Sequence, residues 1–98
     1  MEFIASEDFK LTPAIKEAVH ERVEQVNKFL KNDENVTVNL SKEGDNIFNV
    51  IIQVRSHKHD FVGTAKNEDF YVALNQAKAH VVRQLSDNKD KHLASRHS

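Results

Sequence analysis

The 98-residue chain contains no cysteine. That removes disulfides, thiol nucleophiles and thiolate zinc sites together. Only two glycines are present, so no glycine-rich loop can cradle a phosphate, and neither G-x-S-x-G nor H-E-x-x-H occurs. Without a motif of this kind we expect no enzyme, no cofactor and no small-molecule substrate. Long hydrophobic runs are missing as well: a stretch such as 50–52 is far too short to span a bilayer. The first twenty residues lack a basic-then-apolar leader, with Glu2, Glu7 and Asp8 standing where a leader would be greasy. A cytoplasmic protein with no membrane partner is expected.

What is present describes a soluble globular chain, 39% hydrophobic and 30% charged, of a length that encloses one core. The net charge of −1 is unevenly spread. Residues 1–35 carry five Lys/Arg against eight Asp/Glu, residues 36–65 three against three, and residues 66–98 six against four. The last third is therefore slightly basic and also holds His80, His92 and His97. Such a tilt alone fits a solvated mixed surface better than a nucleic-acid footprint.

Residues 2–6 read as a short first strand, with Phe3 and Ala5 on one side. Thr12-Pro13 is a helix start, since Thr caps well and Pro favours the first helical position. The stripe Ile15, Val19, Val23, Val26 and Leu30 continues that helix, and Asn32-Asp33-Glu34-Asn35 ends it. The period then changes from 3.6 to 2. Val36, Val38 and Leu40 alternate with Thr37, Asn39 and Ser41. A turn at residues 42–46 uses Gly44, which tolerates positive φ. Phe48, Val50, Ile52 and Val54 form the inner row of a longer strand, and Phe61, Gly63 and Ala65 that of another. The polar residues 56–60 connect them.

Residues 69–91 then form one long amphipathic helix. Phe70, Leu74, Ala77, Val81 and Leu85 follow at steps of four, three, four and four, so they share a face. Asn67, Glu68 and Asp69 supply capping oxygens and negative charge at its start. Off the apolar face stand Lys78, His80, Arg83, Lys89 and Lys91.

The order β-α-β-β-β-α predicts an α+β fold: a four-stranded sheet, antiparallel through successive hairpins, with two helices packed on one face. Residues such as Thr37, Asn39, Asn49 and Gln53 face solvent on the other. From Thr12 onward this is the layout of a double-stranded RNA-binding domain. That family, however, places lysines at the start of its second helix, where this chain has Asn67, Glu68 and Asp69, so the likeness is one of layout. His57-x-His59-Asp60 allows a metal reading, because alternate residues of an extended segment point the same way. With no third strong ligand close in sequence, a solvated loop is preferred and no metal is expected.

Asp69-Phe70-Tyr71-Val72-Ala73-Leu74, then Arg83-Gln84-Leu85 and Lys89-Asp90-Lys91, resembles the last helix of the ribosome hibernation-promoting factor and ribosome-associated inhibitor family, also called the sigma-54 modulation family. That family shows D-[aliphatic]-Y-x-A-[IL] and R-Q-[LI] followed by alternating lysines. Thr12-Pro13-Ala14-Ile15-Lys16-Glu17 resembles its T-x-A-[LI]-R/K-E helix start, and the likeness covers essentially the whole chain. It implies a stress or stationary-phase factor, of the short type, on the small ribosomal subunit. There it would lie over the decoding region, exclude messenger and transfer RNA, and promote ribosome hibernation together with a second small modulation factor. Residues 1–91 would be a single ribosome-binding domain and 92–98 a flexible C-terminal tail.

The resemblance also implies the partners of individual residues. Ribosomal RNA contacts fall on Lys16 and Arg22 of the first helix and on Lys78, His80, Arg83, Lys89 and Lys91 of the second. His80 stands where the family often has Lys, and Gln25 and Asp87 replace further lysines. A histidine at that place implies binding that strengthens as pH falls through the ordinary histidine range. Tyr71 is read as a core aromatic and Asp69 as an N-cap. The family's older naming leaves an alternative, a protein-interaction module that modulates a transcription factor.

Overall fold

The computed structural model describes residues 2–6, 9–28, 35–44, 46–55 and 60–97, with side chains as far as residue 86. The elements are β1 (Glu2–Ala5), α1 (Pro13–Asn27), β2 (Asn35–Glu43), β3 (Ile47–Arg55), β4 (Asp60–Asn67) and α2 (Phe70–His97). Expected features at Leu30, Asn32, Asp33, Glu34, Asp45, His57 and His59 lie outside the described residues.

Both helices begin where side-chain caps satisfy free N–H groups. Thr12 Oγ1 accepts from Ile15 N at 3.2 Å, with Pro13 in the first helical position. Asp69 Oδ1 accepts from Tyr71 N at 2.9 Å, and Asn67 Oδ1 accepts from Asp69 N at 2.9 Å. Asp69 is thus the expected N-cap. The helix it starts runs on to His97, past the expected end at Lys91. No Gly or Pro occurs after Gly63 to stop it.

The four strands lie in the order β1-β2-β3-β4. β2, β3 and β4 form the expected antiparallel meander, with Val38 opposite Ile52 and Ile52 opposite Gly63. β1 instead pairs parallel to β2, Phe3 beside Val38. The reason is the connection: α1 carries the chain back across the sheet, and a crossover of this kind joins parallel neighbours. Gly44, at φ +63°, makes the β2–β3 turn.

The core lies between the sheet and the two helices. Val36, Val38, Leu40, Val50, Ile52 and Val54 meet Val19, Val23 and Val26 of α1 and Leu74, Ala77, Val81 and Leu85 of α2. Full burial of each such Val, Leu or Ile side chain contributes about 1.5–3 kcal/mol. Phe9, Phe48 and Phe70 close one end of the core, with ring centroids 5.5–6.0 Å apart. Every described buried residue with a side chain is apolar.

At Gly63 the sheet and α2 come so close that a Cβ would collide with the Ala77 carbonyl oxygen and lie 2.8 Å from Val81 N. This close approach sets where α2 lies relative to β4. The opposite sheet face carries half-buried Thr37, Asn39, Ile51 and Gln53 and the more exposed Ile4 and Val62. Lys66 and Glu43 form an ion pair at 2.9 Å across the exposed side of that face.

Candidate nucleic-acid interface

The two helices meet along a polar seam. Arg22 Nε donates to Asn75 Oδ1 at 2.8 Å, and Lys78 Nζ donates to Gln25 Oε1 at 2.6 Å. Positions 22 and 25 on α1 face positions 75 and 78 on α2 in the same order, so the helices run in the same sense here. Residues three apart on a helix are surface neighbours, and the two rungs therefore form one ladder. Each cation is held by a neutral amide, which fixes the side chain without itself cancelling the charge. Arg22 is also ion-paired with Glu21, Nη1 to Oε2 at 3.2 Å, and its side chain is 23% exposed.

The other flank of α2 serves β4, an edge strand of the sheet. His80 Nδ1 lies 2.8 Å from the Thr64 carbonyl oxygen. A carbonyl only accepts, so Nδ1 carries the hydrogen and Nε2 is the ring nitrogen left for any further contact. Gln84 Nε2 donates to the Val62 carbonyl at 2.6 Å, and Gln84 Oε1 accepts from Val62 N at 3.2 Å. Side chains of α2 thus occupy backbone groups that an edge strand would otherwise offer to another chain. The opposite edge, β1, is only four residues long.

Among the described residues, the expected RNA-binding side chains do not share one patch. At about 100° per residue, Lys16 lies about 120° around α1 from Arg22, and Arg83 about 140° around α2 from Lys78. Arg22 and Lys78 are brought together. Lys16 and Arg83 are exposed on separate faces, and His80 serves the β4 flank. The side chains of Lys89, Lys91 and Asp87 lie outside those described. Among the described residues no group of three or more His, Cys, Asp or Glu could hold a metal ion. No described helix is long and apolar enough to cross a membrane.

The family model described as "Sigma 54 modulation protein / S30EA ribosomal protein" matches residues 3–93. The chain belongs to that family. Solved structures agree on the fold. The crystal structure of the Thermus thermophilus Protein Y N-terminal domain is similar with a TM-score of 0.75 at 20% identity, over 86% of this chain and 91% of that one. A ribosomal subunit interface protein from Coxiella burnetii gives a TM-score of 0.74 at 14% identity, over 92% and 99%. No curated protein sequence matches the chain.

Within this member of the family, Tyr71 is a correction. It was expected in the core, yet it is 47% exposed. Phe70 takes the core position beside Phe9 and Phe48, and the next residue is turned about 100° away. Asn75 is a functional candidate that the sequence does not announce, and Gln25, read only as the replacement of a lysine, holds Lys78. One signal was available for Asn75: it stands four residues after Tyr71 and three before Lys78, on the same flank. Its pairing with Arg22 joins residues 53 apart in the chain, which one sequence does not reveal.

Proposed function

We propose that this chain binds the small ribosomal subunit through ribosomal RNA, occupies the decoding region, and so keeps messenger and transfer RNA off an idle ribosome. The family match over residues 3–93 carries this reading. The related Coxiella burnetii protein is titled a ribosomal subunit interface protein, and the seam cations Arg22 and Lys78 suit phosphate oxygens. Lys16, His80, Arg83, Lys89 and Lys91 are proposed as further RNA contacts on the strength of the family resemblance. Such work would be cytoplasmic.

No bond is made or broken in this mechanism. Each phosphate neutralised releases counterions, so affinity falls with salt, and folded RNA is read by shape and backbone more than by base sequence. Occupancy by itself excludes the competing RNAs. Hibernation follows if the idle ribosomes persist or pair, with a second small modulation factor as partner. The test is competition: transfer RNA bound to programmed small subunits should be released as the protein is added. Simultaneous binding of both at saturation would refute decoding-site occupancy.

The family description also names sigma-54 modulation, which favours a second reading as a protein-interaction module acting on a transcription factor. Binding to such a partner that is insensitive to salt and persists without ribosomes would select it.

A further inference from the structure

Tyr71 is the only tyrosine of the chain, and there is no tryptophan. Its ring stands on the first turn of α2, with its centroid 5.5 Å from that of Phe70 at an interplanar angle of 75°. Phe70 is itself packed against Phe9 and Phe48. The exposed ring is therefore braced from behind by a buried aromatic cluster, which restricts its motion.

Helix spacing places Asn75 and Lys78 on the same flank as Tyr71. Asn75 holds Arg22, and Gln25 holds Lys78. An aromatic surface thus leads into two cations fixed by amides. Around it are the carboxylates of exposed Glu68 and Asp69, just before the ring, and of Glu21 beside Arg22. Those at the ring end disfavour a phosphate over Tyr71, while a neutral base face carries no such cost. Farther along the seam the cations favour the phosphate. An apolar protein partner fits less well, because the neighbours along this flank are Asn75, Lys78, Arg22 and Gln25.

We infer that Tyr71 is a stacking platform for an unpaired nucleobase of RNA whose adjoining phosphate is held by Arg22 and Lys78. Stacking tolerates any base, since each has a π face, so the site selects an unstacked nucleotide and not a sequence. This rests on the ribosome-binding reading and adds to it a contact that backbone electrostatics alone does not provide.

The experiment measures dissociation constants for purified small subunits with the unaltered protein, Tyr71→Phe and Tyr71→Leu, after matching circular dichroism and urea midpoints. Tyr71→Phe should bind within about twofold, and Tyr71→Leu about tenfold more weakly or worse, from the size of base–aromatic stacking. Tight binding by the unaltered protein with equal binding by Tyr71→Leu overturns this inference alone. No binding by the unaltered protein removes the ribosome reading and this contact with it. Equal losses for Phe and Leu point to a hydroxyl contact or a protein pocket and also overturn stacking. An independent arm titrates the protein with a twelve-nucleotide oligouridylate and follows tyrosine emission. Saturable quenching supports the site. Absence of binding, or filter-retained binding without quenching, overturns it.

Discussion

The Gln84 carboxamide grips both backbone groups of Val62, donating to its carbonyl at 2.6 Å and accepting from its N–H at 3.2 Å. One side chain of α2 thereby closes part of the β4 edge, and His80 closes the next part at Thr64. Replacing Gln84 by Ala should destabilise the fold by about 1–2 kcal/mol, since two hydrogen bonds of modest net worth are lost. A urea midpoint checks the size, and amide exchange checks the place: the Val62 N–H should exchange faster than in the parent. An unchanged Val62 rate would show that this clasp does not protect the edge.

Gly63 has no room for a side chain. A Cβ there meets backbone atoms of Ala77 and Val81, which cannot swing aside as a flexible side-chain end can. Gly63→Ala should therefore displace α2 from β4 and cost about 1–3 kcal/mol, the range for overpacking a core. Thermal unfolding of the variant measures this.

Asp69 acts on the helix start, where its carboxylate accepts from Tyr71 N. Asp69→Ala removes the acceptor for Tyr71 N and should cost about 1 kcal/mol of stability, the usual worth of an N-cap. Subunit affinity, measured where both proteins are folded, should hold or rise slightly as a carboxylate leaves the ring end of the seam. A clear fall would assign Asp69 a direct contact.

Arg22 and Lys78 should act as phosphate contacts. Arg22→Gln and Lys78→Gln keep hydrogen-bonding side chains but remove one charge each. The slope of log affinity against log salt should fall by roughly 0.7–0.9 for each variant. Equilibrium binding to small subunits at several salt concentrations measures it, and an unchanged slope would place these cations off the phosphates.

Much of this architecture was legible in the residues themselves. Alternation at Val36, Val38 and Leu40, and again from Phe48 to Val54, gives two strands their buried face. The stripe from Phe70 to Leu85 gives α2 its core side. β1 was legible as a strand but not as a parallel neighbour of β2, because four residues carry too little pattern to choose a partner. The site was less legible. Arg22 and Lys78 could be named from a resemblance, but their joining depends on Asn75 and Gln25 across a helix seam. Tyr71 followed a core phenylalanine and was read as core, whereas one step around the helix turned it outward. The roles of His80 and Gln84 at the sheet edge depend on knowing which strand lies beside α2.

A chain that occupies the small ribosomal subunit by neutralising RNA phosphates must bind it in a salt-dependent way. Sedimentation of the unaltered protein with purified small subunits, at low salt and again at high salt, tests it most directly. The protein should migrate with the subunit peak at low salt and be released at high salt. A protein that stays at the top of the gradient at low salt would contradict it.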